Sequence, residues 1–450
     1  MLIRSVASNE RLPALVRPAG WKPAIQQVGN LRYKAAVPDG NVCNESRPNS
    51  KFSILNSQFS IAGRARICVI ALFVACQFAA TAAQQEIDIN RELDIDGWPK
   101  PVPVSISGFT GETDRVLKQD LLFMGIAAVT PEQARFLISG SNNGRVEGRV
   151  VEKFNKSEVL AKAYTGNTLR GQTHAFADDI AKAITQKPGI AQTKVAFKVE
   201  TAPQSSEVYL ADYDGFNPRP VTQDGSTVAA PAWGGRSMLY YASYKLGSPF
   251  IFSHKLETGA RQSVARYPGL NTSPAVSPDG TKVAMILSKS GSPDLYVANS
   301  DGSGLKQLTT TREAESSPCW SPDSRTICYV SRERGPASLY AIDAAGGAPR
   351  RIRTDGAPNP TEPDWSSDGK WIAFTSLSGS FNICYVKAEG GDAQVVASGE
   401  DPSWAPNSRA IIFCRGPDHQ KTLSLLDVPT KQVKTLARIL GSNSQPDWAK

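Results

Sequence analysis

The chain has 450 residues, which is long enough for two or three domains with sizeable cores. Its hydrophobic content of 40% is ordinary for a globular protein and excludes a disordered or fibrous one. Its formal net charge is +8, but residues 1–83 contain 10 of the 50 basic residues and only 3 of the 42 acidic residues. The rest of the chain has 40 basic and 39 acidic residues and offers no large basic surface for phosphate backbones. We therefore predict no nucleic-acid partner.

Residues 1–83 have the pattern of a leader that contains a signal peptide. Basic residues precede a hydrophobic segment at about 67–80, and the small residues after it predict cleavage at Ala82 and Ala83. The hydrophobic segment is too short for a convincing membrane span. Two alternatives stay open for the leader. Either translation starts downstream of the first methionine, or the leader is unusually long. Separately, Cys76 could belong to a lipidation box.

Residues 84–193 alternate between strand and helix patterns, which predicts a small α/β domain. Phe176, Ile180 and Ile184 recur at the spacing of an amphipathic helix with one buried stripe. The same helix is predicted to leave three polar side chains in water, namely Asp178, Asp179 and Lys182.

A Pro-x-Trp-type motif recurs six times between residues 231 and 448. Its copies are Pro231-Ala232-Trp233, Pro274-Ala275-Val276, Pro318-Cys319-Trp320, Pro363-Asp364-Trp365, Pro402-Ser403-Trp404 and Pro446-Asp447-Trp448. The third positions are 43, 44, 45, 39 and 44 residues apart, which is the period of one four-stranded propeller blade. We expect the Trp side chains to pack between blades.

The two ends of residues 194–450 complement each other. Residues 194–210 supply strands of a blade that lacks its motif strand, and the motif at Trp448 stands alone. Pairing of the two segments would complete a sixth blade and remove the open sheet edges. The predicted fold class is therefore an all-β six-bladed β-propeller preceded by a small α/β domain.

Four cysteines follow the leader, at Cys319, Cys328, Cys384 and Cys414. Export would permit disulfides, and Cys319 and Cys328 flank one predicted hairpin turn. The interpretation that we favour is that all four are small buried side chains in strands. Their spacing matches no zinc motif.

The sequence offers little for catalysis. It has three histidines, His174, His254 and His419, and no G-x-S-x-G motif, and we interpret His174 as a structural polar residue. Asp279 and its equivalents in other repeats are turn residues, and no phosphate-binding loop occurs. We predict no catalytic residue, no cofactor and no metal. A propeller hydrolase or a carbohydrate-binding protein that uses the central channel stays open as the alternative.

Four features in one stretch of the chain resemble the hinge region of the TolB family: Leu169-Arg170, His174–Ile180, Gly189 and Thr193–Phe197. Together with the six blades, this similarity covers residues 86–450. The resemblance implies a non-enzymatic, monomeric adaptor in the periplasm that supports outer-membrane integrity and constriction at division. It also implies that the protein associates with membranes only through its partners.

The resemblance implies two partner-binding regions. The loops ahead of the six motifs would receive Pal, the peptidoglycan-associated lipoprotein, through Leu270, Asn271, Ser273, Glu315, Ser316, Ser317, Thr361, Glu362, Glu400, Asp401, Asn443 and Gln445. The mature N-terminus would bind TolA by adding a strand, through Glu86, Ile87, Asp88 and Ile89. The alternative for this second segment is that it frays or forms the first strand of the α/β domain.

Overall fold

The structure is a computed structural model, and it describes residues 97–166, 168–436 and 439–450. The predicted leader, its cleavage position at Ala82 and Ala83, Cys76, and the predicted TolA-binding residues from Glu86 to Ile89 lie outside these ranges. Among the described residues, neither helix is long and apolar enough to cross a membrane.

Five strands and two helices form the α/β part of the chain. In order they are β1 (Val102–Ser107), α1 (Gly111–Phe123), β2 (Ile126–Ala128), β3 (Phe136–Ser141), β4 (Glu147–Glu152), β5 (Glu158–Ala163) and α2 (Leu169–Thr185). The strands form one sheet in the order β2-β1-β3-β4-β5, in which β1 runs parallel to both of its neighbours. The predicted buried stripe of α2 is confirmed, since Phe176, Ile180 and Ile184 are buried in the hydrophobic core.

The rest of the described chain forms six four-stranded blades. Blade 1 contains β9 (Val228–Trp233), β10 (Met238–Ser243), β11 (Phe250–Lys255) and β12 (Ala260–Ala265), and blade 2 contains β13 (Asn271–Val276), β14 (Lys282–Leu287), β15 (Asp294–Asn299) and β16 (Lys306–Gln307). Blade 3 contains β17 (Ser316–Trp320), β18 (Thr326–Ser331), β19 (Ser338–Asp343) and β20 (Arg350–Ile352), and blade 4 contains β22 (Pro360–Trp365), β23 (Trp371–Ser378), β24 (Ser380–Lys387) and β26 (Gln394–Ser398).

Blade 5 contains β27 (Glu400–Trp404), β28 (Ala410–Arg415), β29 (Thr422–Asp427) and β30 (Gln432–Thr435), and blade 6 contains β31 (Ser442–Trp448), β6 (Lys194–Ala202), β7 (Ser205–Asp212) and β8 (Arg219–Pro220). A separate parallel pair joins β21 (Thr354–Asp355) to β25 (Gly391–Asp392).

The ring is closed within blade 6. β31 pairs with β6 in antiparallel register, so that Trp448 lies opposite Val195. This pairing gives the inner strand of blade 6 its ladder partner and leaves no blade incomplete. The predicted six-bladed propeller, with an α/β domain before it, is confirmed.

The motif tryptophans contact neighbouring blades. Trp320 Nε1 in blade 3 donates to the carbonyl of Ala275 in blade 2 at 2.8 Å, and Trp233 Nε1 in blade 1 donates to the carbonyl of Asp447 in blade 6 at 3.0 Å. Buried indole N–H groups generally need such a partner, so each of these bonds also fixes the orientation of its ring. These two tryptophans pack between blades, as the sequence predicted.

The prediction that Asp178 points into water is wrong. Its Oδ1 accepts a hydrogen bond from the backbone N–H of Ala191 at 2.8 Å, because the loop after α2 folds back over the helix. Gly189 makes this approach possible, since a Cβ at this position would lie 2.0 Å from Asp178 Oδ1. Lys182 is exposed as predicted, and Asp179 is half-buried and bonded to Lys162 at 2.7 Å.

All four cysteines of the described chain are buried in strands and have free thiols. Cys319 and Cys328 face each other across the first two strands of blade 3. Burial raises the pKa of the Cys319 thiol, and its neighbour Cys328 raises it further, so Cys319 stays a neutral thiol and packs as a small apolar side chain.

Candidate protein-binding surface

Two different sets of loops surround the two ends of the propeller channel. In an antiparallel blade, the loop that leads into the inner strand lies at the same end as the loop between the two middle strands. We call this end the entry face. It includes residues 266–270 and 288–293 at blade 2 and residues 308–315 and 332–337 at blade 3. The predicted Pal-binding residues precede or begin the inner strands, so they belong to the entry face.

Each inner strand has a β-bulge directly before its motif proline. The residue at this position has a positive φ of 49–56° in all six blades, at Ala230, Ser273, Ser317, Glu362, Asp401 and Gln445. The pairing register shifts at the same place, for example between Ser316 and Cys319. A positive φ costs free energy at any residue other than glycine, and bulges redirect side chains locally. The sixfold bulge therefore directs the side chains around the channel mouth.

In half of the ring, these bulge residues bind each other in sequence. The backbone N–H of Asp401 donates to Glu362 Oε2 at 3.0 Å, and that of Gln445 donates to Asp401 Oδ2 at 2.9 Å. The N–H of Ala230 then donates to Gln445 Oε1 at 2.8 Å. Each side chain thus bonds to the backbone of the next blade, so blades 4, 5, 6 and 1 are joined at the channel wall.

A second tier of the same design lies two residues further along the inner strands. The backbone N–H of Trp404 donates to Asp364 Oδ2 at 2.6 Å, and that of Trp233 donates to Asp447 Oδ2 at 2.7 Å. In the other half of the ring, the equivalent positions are Ala232, Ala275 and Cys319. Alanine has no side-chain acceptor, and the sulfur of cysteine is a weak one. The channel therefore has a polar half and a half lined by small side chains.

Burial changes the protonation of carboxyl groups in the polar half. It raises the pKa of Glu362 strongly, and the neighbouring Asp401 raises it further. Burial also raises the pKa of Asp447 to about 7, although the Lys450 ammonium opposes this shift. Burial and close like charges both favour the neutral acid. Part of this carboxyl cluster therefore keeps its protons near neutral pH.

Four of the predicted Pal-binding residues are buried, with at most 9% of their surface exposed, namely Asn271, Glu315, Glu400 and Asn443. The carboxylate of Glu315 accepts hydrogen bonds from Thr311 and Ser331, and Glu400 forms a 2.7 Å ion pair with Lys421. The two asparagines bond to backbone groups of their own loops. These four side chains shape the entry-face loops and present little of themselves to a partner.

The other eight predicted residues are half-buried at the channel mouth and are brought together by the ring: Leu270, Ser273, Ser316, Ser317, Thr361, Glu362, Asp401 and Gln445. They surround one opening and are accessible from one side. Contact of these residues with a partner stays a prediction.

A set of basic side chains on the entry face was not predicted from the sequence. We call Arg266, Lys289, Arg312, Arg332 and Arg334 the basic arc. Three of them lie in loops between middle strands, which reach the entry face only because consecutive strands run in opposite directions. One feature of the sequence could have identified these residues. Successive loops of an antiparallel blade lie at alternate ends of the propeller, which assigns residues 288–293 and 332–337 to the entry face.

A buried polar network joins the α/β part to the propeller. His174 Nδ1 on α2 lies 2.7 Å from Asp120 Oδ2 on α1, and the Tyr213 hydroxyl of the propeller donates to the other oxygen of Asp120. The ring of Tyr213 stacks on Trp448 at 5.9 Å. Burial alone would lower the pKa of His174, but its hydrogen bond with Asp120 raises it. His174 is therefore a structural residue of the junction.

The three histidines do not meet. His174 lies in this junction, His254 lies on β11 in blade 1, and His419 lies on the entry face with its Nδ1 2.8 Å from Glu200. Within the described ranges, no group of three or more His, Cys, Asp or Glu side chains is placed to hold a metal ion.

Comparison with known proteins supports a specific family. A family model described as the TolB beta propeller domain matches residues 181–450. The Tol-Pal system protein TolB of Gluconobacter oxydans (strain 621H) is 28% identical, over 89% of this chain and 98% of that protein. The protein of the same name from Desulfosudis oleivorans is 30% identical, over 39% of this chain and 42% of that protein.

A solved structure shows the same fold. The crystal structure of TolB from Acinetobacter baumannii aligns with a TM-score of 0.69 and 20% identity, over 78% of this chain and 97% of that chain. The matched family and the relatives named here carry the name of a Tol-Pal system protein, not of an enzyme. Since the family model covers more than half of the sequence, the chain belongs to the TolB β-propeller family.

Proposed function

We propose that this protein is a periplasmic adaptor of the Tol-Pal system that binds a Pal-like lipoprotein at the entry face. The observation that carries the proposal is family membership over residues 181–450, combined with one channel mouth built from six bulged strands. The inter-blade hydrogen bonds at the bulges hold this mouth in a fixed shape. A rigid concave surface loses little conformational entropy on binding, which suits it to protein recognition.

The proposal includes a second, spatially distinct contact. Residues 86–89 would bind a TolA-like inner-membrane protein by strand addition, because their alternating polar and apolar side chains suit the edge of a sheet. An adaptor with two separate contacts would link the inner membrane to the outer membrane and needs no catalytic group.

The first experiment measures binding of the mature chain to the periplasmic domain of the host's Pal-like lipoprotein by calorimetry. Ser316→Arg and Thr361→Arg place a bulky side chain at the half-buried channel mouth and should weaken binding at least about tenfold. Thr281→Arg, in an exposed turn at the opposite end of the propeller, is the matched control and should bind like the original protein. Equal affinity of all three variants would reject the entry face as the binding site.

The second experiment tests the separation of the two contacts. A chain that lacks residues 86–89 should lose binding to the host's TolA-like protein and keep its affinity for the Pal-like domain. Loss of both activities together, or of neither, would contradict the assignment of the N-terminal segment.

A further inference from the structure

The basic arc covers only one side of the entry face. All five of its side chains come from the loops of blades 2 and 3, where the exposed acidic residues are Glu313 and Glu333. On the other side, the entry-face charges of blades 5 and 6 are mostly paired, as in the Lys421–Glu400 and His419–Glu200 contacts. The entry face is therefore electrostatically uneven, with its excess positive charge next to the small-residue half of the channel.

The cations of the arc are not neutralised by the protein. None of the five forms a salt bridge with another described residue. Instead, the Arg266 guanidinium lies 5.1 Å from the ring centre of Phe250, and the Lys289 ammonium lies 4.6 Å from that of Tyr267. Contacts of this kind hold a cation in place without cancelling its charge. Two of the five cations are thus held in place without losing their charge, and none of the five is paired with an acidic side chain of the described residues.

The adjoining channel wall has hydrogen-bond donors without side-chain acceptors. The N–H groups of the bulge residues Asp401, Gln445 and Ala230 each bond to the side chain of the bulge residue in the preceding blade. In the small-residue half, the preceding residues are Ala230, Ser273 and Ser317, and no described side chain accepts from the N–H groups of Ser273, Ser317 or Glu362. Backbone donors at a bulge with positive φ, beside unpaired cations, attract carboxylate oxygens.

We propose that the partner docks with an acidic segment against blades 2 and 3, with its carboxylates between the basic arc and the bulges at Ser273 and Ser317. This inference rests on the proposed function and specifies the chemistry of the Pal-like partner and its orientation on the entry face. The partner's surface over blades 4 and 5 is neutral or donates hydrogen bonds, because Glu362 and Asp401 lie there.

A protein partner fits this pattern better than a polyanion. The unpaired positive charge is concentrated on two blades, and the carboxyl groups of the polar half border it. A nucleic acid or another uniform polyanion would find unpaired cations mainly on those two blades, because the polar half of the channel offers carboxyl groups to the rest of its phosphates. A folded protein surface can put acidic side chains on one side and neutral ones on the other.

The test uses the mature chain and the periplasmic domain of the host's Pal-like lipoprotein. The variant Arg266→Glu/Lys289→Glu/Arg312→Glu should bind at least about tenfold more weakly at low ionic strength, with most of the loss in the association rate. Its control, Lys255→Glu/Arg325→Glu/Lys370→Glu, makes the same change in net charge in exposed turns at the opposite end and should bind within about twofold of the original protein.

The affinity of the unmodified chain should also fall as salt is added, and this measurement does not depend on any variant folding. Unchanged affinity of the entry-face variant, or a flat salt response, would overturn the acidic-segment proposal and leave the proposed function standing. If the unmodified chain does not bind the Pal-like domain at all, the proposed function fails and this inference fails with it. Arg312→Glu alone should show a partial loss, which checks that the triple variant is not simply misfolded.

Discussion

The Lys450 ammonium lies 2.6 Å from Asp364 Oδ1 and 2.7 Å from Asp364 Oδ2, across the inner strand of blade 5. The same carboxylate accepts the backbone N–H of Trp404 in blade 5, so Asp364 of blade 4 bonds to blade 5 and to the residue that follows the inner strand of blade 6. The positive charge of Lys450 also opposes the rise that burial causes in the pKa of Asp447. This ion pair therefore joins the last residue of the chain to blade 4, in addition to the strand ladder that closes the ring.

Replacing Lys450 by Met should lower the free energy of unfolding by about 1 kcal/mol, because the pair is only partly shielded from water. Urea unfolding at neutral pH measures the change. The control is Lys370→Met, which removes an exposed lysine without an ion pair among the described residues. Equal stability of the two variants would show that the pair adds nothing to closure.

Glu315 should make stability depend on pH. Its side chain is 2% exposed, and burial raises the pKa of its carboxyl to about 7 from an ordinary value of 4.5. Between these values the folded chain binds more protons than the unfolded chain, so the free energy of unfolding falls as pH rises. This group should contribute a decrease of roughly 1 to 3 kcal/mol across the window.

Denaturant unfolding of the original protein and of Glu315→Gln at several pH values between 4.5 and 8 measures this contribution. The variant should show a shallower decline, although Asp447 retains its own contribution with the same sign. Glu313→Gln, in the same loop and exposed, should leave the profile unchanged. An identical slope for Glu315→Gln and the original protein would contradict the assignment.

Tyr213→Phe should destabilise the junction between the α/β part and the propeller. It removes one hydrogen bond to the fully buried carboxyl of Asp120, and an unsatisfied buried acceptor costs about 1 to 3 kcal/mol. Tyr209→Phe is the control, since this half-buried tyrosine of the same blade has no hydroxyl partner among the described residues. Thermal unfolding followed by calorimetry compares them, and a smaller loss for Tyr213→Phe than for the control would refute the network.

The bulge conformation can be tested with two alanines of one strand. Ala230 has a positive φ of 49° and Ala232 does not, and glycine adopts this conformation without the steric cost of a Cβ. Ala230→Gly should raise the free energy of unfolding by about 0.5 to 1 kcal/mol, whereas Ala232→Gly should lower it by a similar amount. The same sign for both substitutions in urea unfolding would contradict the assigned backbone.

The period of the motif predicted the number of blades and the closure at Trp448 because both follow from local repetition and the pairing of strand edges. Side-chain burial at the entry face was not predictable in the same way. Glu315 and Asn271 look like surface loop residues in the sequence, yet they are buried because adjacent loops fold over them. Burial of this kind depends on contacts that a repeat pattern does not encode.

Polar contacts between residues far apart in the chain could not be predicted from the sequence either. The partner of His174 is Asp120 on another helix, and Asp178 was misplaced because the loop that covers it follows the helix. The basic arc was missed because Arg266 and Arg332 lie far apart in the chain and reach one face only in the folded ring. In each case the sequence supplies the residue type, and the tertiary fold decides its neighbours.

The pairing of β6 with β31 has a consequence for how the chain reaches its folded state. β6 leaves the ribosome before every other propeller strand, and its partner leaves last, so the two must find each other across almost the whole propeller sequence. Such long-range closure is slow, and until it occurs blade 6 exposes unpaired strand edges that can aggregate. A chain truncated before Ser442 should therefore leave the edge of β6 unpaired and aggregate more readily than the full chain.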